Sequence, residues 1–223
     1  MITGKKIENI LEEAWKNFFE YYKEKAPKYR ESWRPKLTEK QAKESHWICW
    51  NENDLTFHVG RFFYDILSKK KEAEFSNIEI HFEKNVNFSN FKDYDFFKPK
   101  KDKLEKFNEE LKKIGRKRGP KVDMIVAYED KSSPFLLCAE VKHFHYASEH
   151  YNEKPDEKID VDIKKLKFIR NCGIAKRIVF MLFDDYYWYN DEETANAIQQ
   201  RLGKIRNDNG ITVLYHTSEI KMR

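Results

Sequence analysis

The chain has 223 residues, of which 40% are hydrophobic and 36% charged, and its formal net charge is +5 at pH 7. This length suffices for one large domain with its own hydrophobic core. No apolar run approaches the roughly 20 residues that span a bilayer, and the charged N-terminus is unlike a signal peptide. Three cysteines without metal-site spacing predict free thiols, so we expect a cytoplasmic protein that is not bound to a membrane.

The N-terminal part of the chain is predicted to be helical. Apolar residues at helical spacing predict an amphipathic helix over residues 7–25. A second helix is expected from Asn51 to Lys70, with Asn51 as its N-cap. We therefore divide the chain into an N-terminal helical extension, residues 1–48, and a main domain, residues 49–223.

The main domain then alternates strands and helices. The predicted elements are a strand at 77–88, a short helix at 104–114, strands at 122–129 and 135–144, a helix at 160–171, a strand at 176–183, a helix at 191–205 and a strand at 211–215. A hairpin followed by a strand–helix–strand crossover predicts an α/β domain with a mixed β-sheet flanked by helices.

One segment of the chain is strongly basic. From Lys98 to Lys121 the sequence contains eleven Lys or Arg and four acidic residues, a formal charge of +7 that exceeds the +5 of the whole chain. Such a patch suits a polyanionic partner. On charge alone, a solvated helix face explains it equally well.

The register of the hairpin can be predicted from its side chains. If a four-residue loop, 130–133, joins the strands, Asp123 lies opposite Glu140 and Lys121 lies opposite Lys142. A slip by one residue would bury these charges, which supports the register. The opposite face would then be apolar throughout, with Val122, Met124, Val126, Leu137, Ala139 and Val141.

The opposed acids indicate metal-assisted chemistry. Carboxylates about 5 Å apart repel each other, and a divalent cation between them removes that repulsion. Oxygen ligands favour Mg²⁺, with Mn²⁺ as a substitute. Lys142 would share the face of Glu140 and help a water attack a phosphodiester. Opposed acids and lysines also form ordinary salt bridges, so a structural or interaction protein and a non-catalytic nucleic-acid-binding module remain alternatives.

The motif Pro120-Lys-Val-Asp123, followed by Glu140-Val-Lys142, resembles the PD-(D/E)XK nuclease superfamily. The resemblance covers about residues 50–186 and includes the order of the predicted elements. It implies a restriction-endonuclease-like fold and a magnesium-dependent endonuclease acting on DNA. One departure is that a valine, and not a proline, directly precedes the aspartate.

The resemblance also implies roles for individual residues. Asp123, Glu140 and the backbone carbonyl of Val141 would bind the metal, and Lys142 would activate water. The superfamily often adds an acid from the helix before the first strand, for which Glu52 and Asp54 are the candidates. Glu52 would lie about 40° from the centre of the apolar stripe of its helix and Asp54 about 120° from it, which favours Glu52.

Nucleic-acid contacts are expected from the basic residues near the motif. Asp162 and Lys165 resemble a pair that recurs in related nucleases. His143, His145 and His150 indicate a polar loop, a soft-metal site or contacts with the scissile phosphate. A homodimer would suit cleavage of both strands. We expect phosphate contacts from Arg116, Lys117, Arg118, Lys121 and Lys165.

Overall fold

The helices and strands follow the predicted order. The computed structural model describes residues 2–30, 49, 51–70, 75–87, 89–114, 120–131, 133–145, 155–185 and 192–217. Its elements are α1 Gly4–Arg30, α2 Glu52–Lys69, β1 Ile78–Asn85, a 3-10 helix Asp95–Lys100, α3 Lys101–Lys113, β2 Lys121–Tyr128, β3 Leu137–His145, α4 Pro155–Asn171, β4 Ile178–Asp185, α5 Glu192–Asn209 and β5 Thr212–Thr217. None of the helices described is long and apolar enough to cross a membrane.

The five strands form one open mixed sheet in the order β1-β2-β3-β4-β5. The pairs β1–β2 and β2–β3 are antiparallel, whereas β3–β4 and β4–β5 are parallel. Every residue of β4 is buried, as expected for a central strand covered on both faces. The predicted α/β class and mixed sheet are therefore confirmed.

Helices cover both faces of the sheet, and alternate side chains of each strand enter separate cores. In β4, Met181 packs in the first core and Phe180 in the second. Buried residues of α1 and α2 belong to the first core, which also contains Met124 and Leu137. Leu104 of α3 and the buried apolar residues of α4 and α5 belong to the second core. The sheet is thus the middle layer between two groups of helices.

Helix α1 is integrated into the first core. Leu11 and Phe18 are completely buried, and the ring of Phe18 meets that of Phe183 in β4 edge to face at 5.7 Å between centroids. Packing of this kind joins α1 to the centre of the sheet. The division of the chain after residue 48 stays a prediction, but the helix before that point shares its core with the residues after it.

We expect Phe18→Ala to lower the free energy of unfolding of the whole domain by about 3–5 kcal/mol, because it removes a buried aromatic ring and leaves a cavity. The matched control is Phe57→Ala on α2, where the side chain is 67% exposed and the loss should be small. Urea unfolding followed by circular dichroism measures both. A separate early transition for α1, with the main transition unchanged, would contradict this packing.

The connection between β2 and β3 is longer than predicted, because β2 ends at Tyr128 and β3 begins at Leu137. Phe135 was placed in the hairpin, but it bonds to the segment before β4. Its N–H donates to the Ile174 carbonyl at 2.9 Å, and its carbonyl accepts from the Lys176 N–H at 2.8 Å. The buried Phe135 ring also packs among four aromatic rings of residues 91–97. Because of these contacts, Phe135 belongs to the longer connection between β2 and β3 and not to the predicted hairpin.

Two other details of the predicted hairpin are wrong. The β2–β3 ladder ends at the pair Met124–Ala139, so it does not include the predicted pairs Asp123–Glu140 and Lys121–Lys142. Val122 packs in the second core and not with Met124 in the first. The irregularity is local: Glu83 has a left-handed φ of 56°, and the β1–β2 ladder has no pair between Glu83 and Asp123.

Candidate active site

The hairpin register brings Asp123 close to the segment Glu140-Val141-Lys142. The pairs between β2 and β3 are Met124–Ala139, Ile125–Cys138 and Val126–Leu137, as the predicted register requires. The backbone pairing ends there, and at the next position the side chain of Asp123 bonds to β3 instead. Its Oδ2 accepts the backbone N–H of Val141 at 2.7 Å. This bond holds Asp123, which is 9% exposed, beside the acid and the lysine of β3.

Glu140 lies in the interior of the domain, where it is 1% exposed. Its Oε1 is 2.6 Å from the ammonium of Lys165 on α4. This contact is a short, buried ion pair. Burial raises the pKa of the Glu140 carboxyl well above its ordinary value, and the nearby Asp123 and Asp162 add to the rise against the opposing effect of Lys165. A cation at this carboxylate would stabilise its ionised form.

Lys142 is held between two acids. Its side chain is 9% exposed, and its Nζ lies 2.9 Å from both Glu52 Oε1 and Asp162 Oδ2. Burial alone would lower the pKa of the Lys142 ammonium, but the carboxylates of Asp162 and then Glu52 raise it above its ordinary value. Lys142 is therefore a charged group at neutral pH in this arrangement.

Glu52 reaches the site from the first turn of α2. The side chain of Asn51 accepts the backbone N–H of Asp54 at 3.0 Å, which confirms the predicted N-cap. With the helix started there, Glu52 points towards the sheet and contacts Lys142, and its side chain is 39% exposed. Its role as a catalytic acid stays a prediction.

Asp162 connects the two lysines. This residue of α4 is 1% exposed, and its Oδ1 lies 2.7 Å from Lys165 Nζ while its Oδ2 lies 2.9 Å from Lys142 Nζ. The two lysines lower the pKa of the Asp162 carboxyl against the effect of burial. Sequence reasoning noted Asp162 but did not place it with the motif residues, because only the packing of α4 on the sheet brings it there.

These side chains form what we call the carboxylate–lysine cluster: Glu52, Asp123, Glu140, Lys142, Asp162 and Lys165. With every group ionised, four negative and two positive charges leave a formal charge of −2, which one divalent cation would neutralise. Across the part of the chain that the structure describes, no three His, Cys, Asp or Glu side chains are arranged to hold a metal ion.

The predicted phosphate-binding residues fall into two groups. Arg116, Lys117 and Arg118 lie outside the described residues. Lys121 is exposed, and its ammonium contacts Glu83. The Lys165 side chain is only 11% exposed and belongs to the cluster. Its contact with a phosphate stays a prediction.

The three histidines are not brought together within the described residues. His143 is buried and its ring stacks on Phe183, with 5.5 Å between centroids. The side chain of His145 and the whole of His150 lie outside the described part of the chain. His143 therefore packs on the face of β3 opposite Lys142.

An apolar groove lies apart from the cluster. It has a volume of about 590 Å³, lies between α2 and β1, and is lined by exposed aromatic side chains such as Phe57, Tyr64 and Phe82. No member of the carboxylate–lysine cluster lines it. The charged cluster beside the N-terminus of α2 and this apolar groove are therefore separate features of the domain.

Comparisons of the chain with protein-family models, with curated proteins and with solved structures find no match. The interpretation of the cluster therefore depends on the geometry and chemistry of its own residues.

Proposed function

We propose that this protein is a magnesium-dependent endonuclease that hydrolyses DNA phosphodiester bonds, with a restriction-endonuclease-like domain. The observation that carries the proposal is the carboxylate–lysine cluster. Asp123 and Glu140 come from the neighbouring strands β2 and β3, where Asp123 accepts the backbone N–H of Val141, the residue between Glu140 and Lys142. The family motif expects these residue types in this spatial order.

The burial of the cluster supports a chemical role. Asp123, Glu140 and Asp162 are each less than one-tenth exposed. Removing such ions from water costs several kcal/mol each, and well-packed hydrophobic residues often serve stability equally well or better. Titratable groups with strongly perturbed pKa values are concentrated at functional sites. A purely structural salt-bridge role explains the cluster less well.

The donor set fits a hard divalent cation. Asp123 and Glu140 supply carboxylate oxygens, and the family pattern adds the carbonyl of Val141. Mg²⁺ is commonly bound through one or two carboxylates and retains several waters, so a third acid is not required. When bound, the ion would supply a Lewis acid that offsets charge on the phosphate and acidifies a bound water.

Lys142 would assist the hydrolysis alongside the metal ion. In hydrolysis a water oxygen bonds to phosphorus, and the bond from phosphorus to the leaving ester oxygen breaks. The water gives up a proton to the solvent, and the leaving oxygen takes up a proton from the solvent to become a hydroxyl. Because Lys142 is held charged by Asp162 and Glu52, it would orient the water and stabilise charge on the attacked phosphate. It would not act as the initial proton acceptor.

The basic segment supports a nucleic-acid substrate and leads to a prediction of its own. Replacing Arg116, Lys117 and Arg118 together by Ala should weaken DNA binding to a similar extent for different sequences. Each lost phosphate contact should flatten the plot of log affinity against log salt by about 0.9 for duplex DNA. Fluorescence anisotropy at several salt concentrations measures the slope.

The control removes the same charge from other surfaces. Lys16, Lys69 and Lys204 are exposed on α1, α2 and α5, and their combined replacement by Ala should change the slope much less. Equal slopes for both triple variants would show that general charge, and not the segment before β2, is responsible for binding.

The proposed activity itself is tested by cleavage. Hydrolysis of DNA should require a divalent ion and should be lost in Glu140→Gln while the variant stays folded. DNA binding without any cleavage under every metal condition would instead favour a non-catalytic nucleic-acid-binding module.

A further inference from the structure

The ammonium of Lys165 occupies a position built from oxygen atoms of three residues. Its Nζ lies 2.6 Å from Glu140 Oε1, 2.7 Å from Asp162 Oδ1 and 2.9 Å from the backbone carbonyl of Lys121. Two carboxylates and one carbonyl are also the ligand types that bind hard divalent cations. The ammonium of Lys165 therefore lies among oxygen atoms of the kind that would bind a metal ion.

This position is distinct from the one expected for the metal. The expected metal ligands are Asp123, Glu140 and Val141, and only Glu140 also contacts Lys165. Asp123 is oriented instead by the backbone N–H of Val141 at 2.7 Å. Glu140 is thus shared between two cation positions, as a bridging carboxylate is in sites that hold two metal ions.

The second position is closed to an ion as long as the lysine is present. Asp162 has both oxygens engaged, Oδ1 by Lys165 and Oδ2 by Lys142. The Lys165 side chain is only 11% exposed and shares α4 with Asp162, three residues away. Neither group can turn away without leaving a buried charge unpaired.

We propose that Lys165 is a built-in cation that fills the second position, so that each chain binds a single exchangeable divalent ion. This inference rests on the proposed function, since it presupposes the metal position at Asp123 and Glu140. Beyond that function, one divalent ion would be bound per chain, and the ammonium of Lys165 would occupy the position of a second ion. Lys165 would then balance charge at Glu140 and not anchor DNA at the surface.

The test counts Mn²⁺ ions by isothermal titration and by electron paramagnetic resonance of the bound ions. The full-length wild-type protein should bind one isolated ion. Lys165→Met, which keeps the length of the side chain but removes its charge, should bind two ions with the spin coupling of neighbours a few ångströms apart. The control Lys164→Met removes an exposed charge that pairs with Glu110 at 3.3 Å, and it should still bind one ion.

A double variant assigns the second position. Asp162→Asn in the Lys165→Met background should return the count to one, because it removes a carboxylate that only the second ion would use. Circular dichroism in EDTA establishes that each variant is folded. The wild-type spectrum keeps the inference testable even if Lys165→Met does not fold, because a coupled ion pair in the wild type would overturn it.

The remaining outcomes separate this inference from the proposed function. One ion in both the wild type and Lys165→Met overturns the second position but leaves the metal site intact. If the wild type binds no ion and Lys165→Met binds one, the lysine blocks the sole metal position, and this result also overturns the inference. No Mn²⁺ binding by any of these proteins overturns the metal site and the inference together.

Discussion

Glu140→Gln should abolish DNA cleavage and weaken Mn²⁺ binding by more than the roughly 10–100-fold that loss of an outer-shell partner produces. Glutamine has nearly the shape of glutamate but cannot supply a negative oxygen to the ion. Asp123→Asn should have the same effect for the same reason. Isothermal titration with Mn²⁺ measures binding, and a gel assay measures cleavage.

The matched control is Glu110→Gln. Glu110 is an acid of α3 whose side chain is 56% exposed, and its partner is Lys164. This variant should titrate with Mn²⁺ and cleave DNA as the wild type does. Mn²⁺ binding that is unchanged in both Glu140→Gln and Asp123→Asn would show that these acids are not the metal ligands.

The loss in Glu140→Gln should not come from unfolding. Burial raises the pKa of Glu140, so the folded protein keeps a proton that the unfolded chain releases above a pKa of about 4.3. The free energy of unfolding attributable to this group therefore falls as pH rises through the interval between those two pKa values. At pH values above that interval, and with EDTA present to remove metal ions, Glu140→Gln should melt at or above the melting temperature of the wild type. Lys165 would still be paired with Asp162, so the substitution would leave no buried charge without a partner.

Lys142→Met should slow cleavage by roughly 10² or more, the usual range for an acid–base or electrostatic partner in a reaction. Lys142 is the charged group nearest to Glu140 along β3, and Asp162 and Glu52 hold its ammonium 2.9 Å from their oxygens. Methionine preserves the packing of the stem but removes the charge. Single-turnover cleavage at saturating DNA isolates the chemical step.

Binding should largely survive in Lys142→Met, because neither Asp123 nor Glu140 is altered. Its Mn²⁺ affinity and DNA affinity should therefore stay near those of the wild type. The control Lys204→Met removes an exposed lysine of α5 and should cleave normally. A wild-type rate in Lys142→Met, with Glu140→Gln inactive, would show that Lys142 is only a salt-bridge partner.

The register of the β2–β3 hairpin could be predicted because the alternation of its side chains excludes a shift by a single residue. Met124 and Ala139 face the first core, whereas Ile125 and Cys138 face the second. A shift by one residue would exchange these faces along the whole strand. The charged side chains are buried in the observed register, which the apolar pattern did not predict. The same periodicity predicted the order of the elements, and the local preference of asparagine for helix starts predicted the Asn51 cap.

The parts that sequence reasoning missed depend on contacts between distant segments. Phe135 continues the apolar pattern of β3, yet its bonds to the residues before β4 remove it from the hairpin. The position of Asp162 at Lys142 depends on how α4 packs on the sheet, which no local pattern encodes. The left-handed φ of Glu83 is equally unexpected, since a non-glycine residue rarely adopts it.

Helix boundaries were predicted less well than helix positions. Helix α1 was expected over residues 7–25 and extends from Gly4 to Arg30, and α4 was expected over 160–171 and begins at Pro155. Both extensions consist mainly of charged and polar residues that add no apolar periodicity. Such residues are compatible with a helix or a loop, so the apolar pattern alone does not define where these helices end.

The most direct measurement is cleavage of a panel of nucleic acids, comprising duplex, branched and single-stranded DNA and RNA, with Mg²⁺, Mn²⁺, Ca²⁺ or EDTA. Wild-type protein and Glu140→Gln should be compared at the same concentration. We predict that the wild type cleaves at least one DNA substrate with Mg²⁺ or Mn²⁺, that EDTA abolishes the cleavage, and that Glu140→Gln is inactive. Cleavage that persists equally in EDTA or in Glu140→Gln, or no cleavage of any substrate by a wild-type protein that binds Mn²⁺ and DNA, would contradict the nuclease assignment.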